Sequence, residues 1–232
     1  MKNYLIIGGS SGIGQSVVEK LSLDKELSIT STYFSNPVED YSNVRFFQYN
    51  AEMDNLAYHD LPDEIHGFVY CPGTIVLKPF KRLTEKGVME DFRLQVVGAM
   101  NAIQAILPNL KAAENASIVL FSTVAVQQGF NFHAQVAMSK GAIEGLTRSL
   151  AAEFAPVIRV NCIAPSLTDT VLSARLLNSE EKRKANADRH PMKEIGTASD
   201  SAELAIFLLS RKSKWMTGQI IHLDGGMSSI KI

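Results

Sequence analysis

The sequence predicts an α/β protein built on a doubly wound parallel sheet with helices on both faces. Three observations predict it. Short, wholly apolar runs such as YLII at 4–7 and VLF at 119–121 read as strands buried on both faces. These runs alternate with amphipathic stretches of helical length, which implies βαβ units. A Gly/Ser loop, GGSSGIG, follows the first strand and opens the first helix, the place where such a sheet binds a dinucleotide.

The elements follow in order. After the strand at 4–7, apolar Val17, Val18 and Leu21 mark a helix over 13–25. A Thr-rich strand at 28–33 and another at 44–49 come next, then a polar segment at 54–60 with room for a short helix. The fourth strand, 67–70, stops at Pro72-Gly73, and one long helix is predicted over 87–111. A strand at 117–121 precedes a helix at 134–154, and a strand at 158–164 is closed by Pro165. The polar stretch 167–189 holds one or two helices, and the segment 167–196 reads as a mobile lid. A helix at 199–210, with Thr197 or Ser199 as N-cap, leads to the last strand at 219–223.

Composition bounds the partners. The 232 residues suit a single domain spanning the chain. A net charge of −1, with neither half strongly basic, disfavours nucleic acid and anionic membranes as partners. No apolar run is long enough to span a bilayer, and the N-terminal YLII is too short for a signal sequence, so a cytoplasmic location is expected. Cys71 and Cys162 lack metal-ligand spacing and read as reduced, buried thiols, and no metal site is expected.

Two stretches carry chemistry. Gly8, Gly12 and Gly14, with Ser10, Ser11 and Ile13 between them, allow a tight turn and close backbone approach to a pyrophosphate at a helix N-terminus. The strand ending at Thr32, Tyr33 and Ser35 has no carboxylate to bind the ribose hydroxyls of NAD. Its hydroxyls can meet the extra phosphate of NADP, so NADP is favoured over NAD, although no Arg or Lys adjoins them. The second stretch is 117–140. Thr123 lies just past a strand, while His133, Val136 and Lys140 have the spacing of one helix face.

The 117–140 stretch resembles the active-site segment of the short-chain dehydrogenase/reductase family, with Thr123 at its Ser position and Lys140 at its Lys position. The family's proton-donating Tyr falls on Val136. The family's relay Asn falls on Gln95, Asn50-Ala51 matches its adenine-contacting segment, and Gly73, after Cys71, matches its Asn-Asn-Ala-Gly turn. Asn161, Pro165, Ser166, Thr168 and Thr170 resemble its nicotinamide and phosphate segment, and Asp224-Gly225-Gly226 its C-terminal strand flank.

The resemblance implies a Rossmann-type, seven-stranded fold. It also implies an NAD(P)-dependent oxidoreductase acting on a small carbonyl or alcohol, in a homodimer or homotetramer. Ala99, Ala102, Ala105, Gly141 and Gly145 are candidates for close helix packing between subunits.

The family's hydride transfer needs a proton source, and valine is none. His133, one turn before Val136, is the candidate surrogate, with Lys140 as the other. Two readings of other classes stand beside it: a nucleotide-binding protein without reductase activity, and a lyase in which His133 abstracts a proton. His190, next to Pro191, is the next histidine with a path to a substrate, although it reads first as a surface or hinge residue.

Overall fold

A computed structural model describes residues 1–35 and 40–231. Its main sheet has seven parallel strands: β1 Lys2–Ile7, β2 Leu27–Tyr33, β3 Val44–Gln48, β4 Gly67–Tyr70, β5 Ala116–Phe121, β6 Ile158–Pro165 and β7 Ile220–Leu223. Their spatial order is β3-β2-β1-β4-β5-β6-β7, every neighbouring pair parallel. This is the doubly wound Rossmann-type sheet that the alternating pattern predicts.

Strand alternation splits the core in two. Leu5, Ile7, Phe68, Tyr70, Ile118 and Leu120 face one layer, packed on Ile103, Ile106 and Ile143. Tyr4, Ile6, Val69, Val119 and Phe121 face the other, packed on Val17, Val18, Leu21, Ala202 and Leu208. The first layer comes from α3 (Gly98–Ala112) and α4 (Ala134–Phe154), the second from α1 (Gly12–Ser22) and α6 (Ala198–Leu209). Thr197, not Ser199, caps α6, in a reciprocal box with Asp200.

Three local expectations need correction. α1 ends three residues early, because the Asp24 carboxylate accepts the Glu26 N–H at 3.0 Å and stabilises a turn instead. The short helix expected within 54–60 is present as a single 3₁₀ turn, Leu56–Tyr58. The helix expected over 87–111 is divided: α2 (Glu85–Phe92) passes through a π turn, Arg93–Val97, before α3. The Tyr70 hydroxyl donates to the Leu94 carbonyl at 2.6 Å, and it reaches there because Gly98 has no Cβ; one would lie 2.3 Å from that oxygen. Lastly, Ala99 and Ala102 are buried against the sheet, so they offer nothing to another subunit, whereas Met100 is exposed.

Between β6 and α6 lies the segment expected to act as a lid. It has a 3₁₀ stretch Val171–Leu176, a short helix α5 (Glu180–Ala187), and a two-residue parallel pairing of Thr168–Asp169 with Gly196–Thr197. Among the described residues no helix is long and apolar enough to cross a membrane.

Candidate active site

The strand order reverses between β1 and β4, which opens a crevice at the C-terminal ends of the strands. A cavity of about 890 Å³ fills it. The residues expected at the cofactor or catalytic site line this one cavity, from Gly8 through Asn50, Cys71 and Gln95 to Thr123, His133, Val136, Lys140 and Thr170, except Asn161, which is buried in β6 and ties it to Met216 and Gln219.

The glycine loop is built from its contacts. Gly8 sits at φ +82° and Gly12 at φ +54°, where a side chain would be strained. Thr32 is buried, and its Oγ1 accepts the Gly8 N–H at 2.9 Å, while its carbonyl accepts the Gly9 N–H at 3.0 Å. Thr32 therefore holds the loop, a part not foreseen for it, and leaves Tyr33 and Ser35 nearer the mouth. The Ser11 side chain makes no cap bond to α1, so the first N–H groups of that helix stay free for an anion. Asn50 is shaped by its own turn: its N–H donates to Asp54 at 2.6 Å, and its side chain accepts from the Glu52 N–H.

At the other end, α4 presents His133, Val136 and Lys140 toward the cavity, with His133 as its N-cap residue. The Lys140 ammonium is enclosed and donates to the Phe121 carbonyl at 2.9 Å. Burial pushes its pKa down, against the opposing influence of Cys162, Asp91 and Cys71. Val136 is only 5% exposed. Thr123 Oγ1 accepts the Ala125 N–H at 3.3 Å, capping a 3₁₀ turn, which leaves its hydroxyl proton free to donate. His133 Nδ1 lies 2.8 Å from the Asn131 carbonyl, which places its proton on Nδ1 and leaves Nε2 for other work.

Burial pushes the Cys71 thiol up to about 12, so at neutral pH it is a protonated, unreactive group. Cys162 is buried and raised likewise to about 12. Among the described residues no group of three or more His, Cys, Asp or Glu can hold a metal ion.

The structure adds Asp91 and Arg189, which the sequence did not single out, and corrects the reading of His190. Asp91 lies beneath Gln95 and Lys140, and accepts from Gln95, Thr74 and Ser139. His190 is buried rather than surface-lying: its Nε2 is 2.8 Å from Ser166 Oγ and its Nδ1 is 2.9 Å from the Asn186 carbonyl. Arg189 reaches over the mouth with its guanidinium 5.4 Å from the Phe130 ring, which lies 5.4 Å from the His133 ring.

These residues fit a dinucleotide: a side-chain-free cradle, uncapped helix N–H groups, and a buried Gln95 Oε1 that has no partner. Comparison with known proteins agrees. A family model described as enoyl-(acyl carrier protein) reductase matches residues 50–228. A tropinone reductase homolog of Arabidopsis thaliana is 30% identical over 243 residues, covering 97% of this chain and 92% of the relative. A solved short chain dehydrogenase family protein from Francisella tularensis superposes with a TM-score of 0.87 at 27% identity, covering 99% of this chain and all of the other. The structure of ElxO with NADP bound shares the fold, with a TM-score of 0.86 at 22% identity and 99% of each chain covered. With the sheet, the glycine cradle and the lysine helix in place, the chain belongs to the short-chain dehydrogenase/reductase family of NAD(P)-dependent oxidoreductases.

Proposed function

We propose that this protein is an NADP(H)-dependent oxidoreductase that interconverts a small carbonyl compound and its alcohol, with an altered set of catalytic groups. The observation that carries this reading is the single cavity joining the glycine cradle to Thr123, His133 and Lys140. Gly8, Gly12, Gly14 and the start of α1 would hold the pyrophosphate, and Tyr33 and Ser35 would meet the adenosine end, where β2 offers no carboxylate. A nicotinamide bound there would supply or accept the hydride. Thr123 donates a hydrogen bond to the substrate oxygen, and Lys140 supplies positive charge as negative charge develops on it. His133 keeps Nδ1–H on the Asn131 carbonyl, so Nε2 is the atom that passes a proton to the substrate oxygen.

The His133 role is tested by His133→Ala. Turnover is expected to fall about 100-fold, the usual range for a lost general acid, with little change in thermal stability because the ring is partly exposed. Unchanged turnover on a true substrate would remove His133 from the mechanism.

The lid end of the cavity adds Arg175, Arg189 and His190, while the sole carboxylate lining it among the described residues is Glu52, beyond β3. This balance supports a substrate that carries an anionic group. Arg189→Ala is expected to raise KM about 10–100-fold for a keto acid and to leave its ester almost unchanged, as loss of one charged hydrogen bond predicts. Equal effects on acid and ester would discard the anionic class.

The other reading, a nucleotide-binding protein without reductase activity, draws on Val136, which puts no acid or base where the family carries tyrosine. NADPH oxidation followed at the nicotinamide absorbance across a carbonyl panel separates the two: binding without oxidation of NADPH or NADH by any member favours the binder.

A further inference from the structure

We propose that Asp91 is a positioning residue of this site, whose carboxylate fixes the Gln95 amide with its oxygen toward the cavity and sets a negative charge against the Lys140 ammonium. The assignment deepens the proposed function and rests on its reading of Gln95 and Lys140.

Asp91 belongs to α2 and is 4% exposed. Donors converge on it from three other parts of the fold. Gln95 Nε2, from the π turn, donates at 2.8 Å. Ser139 Oγ, beside Lys140 on α4, donates at 2.5 Å. Thr74 Oγ1, from the loop after β4, donates to the same oxygen as Gln95. An ionised carboxylate only accepts, so Gln95 must offer it the NH₂ side of the amide. The Gln95 oxygen is then turned the other way.

That oxygen is buried and has no partner. It lies 3.2 Å from the point where a Gly73 Cβ would stand, and Lys140 Nζ lies 3.6 Å from the same point. Gly73 leaves this point open, so an acceptor and an ammonium share one small space at the cavity wall. A substrate hydroxyl or a water entering there meets both. Without Asp91 the amide is free to rotate by half a turn and to present its NH₂ to Lys140, donor to donor.

The electrostatic part follows from what faces Lys140. Its neighbours are Cys71 after β4, Cys162 on β6, the Phe121 carbonyl, and Asp91. Burial holds both thiols protonated at neutral pH. Glu144, on the same helix, is engaged by Ser122 at 2.8 Å and Arg148 at 3.4 Å. His133, also at this end of the helix, adds no negative charge. Asp91 is therefore the negative group that opposes the effect of burial and keeps the ammonium charged. A carboxylate that only packed α2 against α4 would do neither of these things.

The test is Asp91→Asn, read by the amine titration of Lys140 in ¹⁵N NMR of the ligand-free protein, assigned with Lys140→Met. The lysine titration is expected to move down by about one pH unit, tenfold in the acid constant. Turnover should fall about tenfold, and its basic limb should move by the same amount. A lower melting temperature with the lysine titration and the pH profile unmoved would leave Asp91 a packing residue and overturn the proposal.

Gln95→Met is the second variant, and it serves if D91N does not fold. It retains the carboxylate, so the lysine titration should stay within about 0.3 of a pH unit of the native protein, while turnover falls to the D91N level. Native turnover in Q95M, or a lysine titration displaced a full unit, also overturns the proposal. The lysine titration needs no substrate. If no carbonyl is ever turned over, the proposed function fails alone and the Asp91 assignment is still decided.

Discussion

Lys140→Met is expected to lower turnover about 1000-fold while making the folded chain more stable in acid. The first half follows from its place. Lys140 is a cation enclosed at the end of the cavity to which we assign the chemistry, and removal of a preorganised charge or donor from such a site costs about 10²–10³ in rate.

The second half follows from linkage. Burial holds the folded pKa of Lys140 below its value in the unfolded chain. Between those two values the unfolded chain binds more protons, so stability rises with pH across that window. Below the window the charge is buried and its cost is fully present; above it the lysine is neutral in both states. Methionine fills similar volume without the charge. The gain in melting temperature should be greatest near pH 6, on the order of 2–4 °C for each kcal/mol recovered in a chain of this size, and should shrink as pH approaches about 10. The lost bond to the Phe121 carbonyl offsets part of it. A K140M chain less stable than native at pH 6 and equal to it at pH 10 would reverse the sign and show that Lys140 stabilises the fold.

What the sequence made legible is local or periodic. The α4 boundaries were readable to the residue, because the 3.6 period runs unbroken from Ala134 to Phe154. The glycine spacing, and the shared face of His133, Val136 and Lys140, follow from the same rules. What was missed depends on contacts between distant segments. The π turn at Gln95 requires Tyr70 of β4 to reach Gly98, and no helical pattern reports that. The i, i+4 spacing of Asp91 and Gln95 was visible, yet it looks the same on a solvated face; only the fold brings Thr74 and Ser139 to the same carboxylate. His190 read as a surface or hinge residue because its neighbours are polar, and no local pattern reports its bonds to Ser166 and the Asn186 carbonyl.

Gly14→Ala should do most damage to cofactor binding. A Cβ at Gly14 would stand 2.2 Å from the Gly8 carbonyl oxygen, 2.9 Å from its carbon and 3.2 Å from Cys71 Sγ. Neither side can yield cheaply. The Gly8 and Gly9 N–H groups are tied to Thr32, and Thr32 lies inside the sheet between β1 and β3. So α1 must move away from the loop, carrying its free N–H groups away from the phosphates. Overpacking of this kind costs about 1–3 kcal/mol, and displaced N–H donors should weaken NADPH binding by about 100-fold. Gly12→Ala is the control: its Cβ would meet nothing nearer than 3.6 Å, so only the strain of a positive φ remains, about 1–2 kcal/mol, with the α1 N-terminus kept in register. Calorimetry and NADPH fluorescence titration of the two variants separate crowding from strain. If G14A binds NADPH as tightly as the native chain, the contact between Gly8 and α1 is not what shapes the phosphate cradle, and the free N–H groups of that helix lose their assigned role.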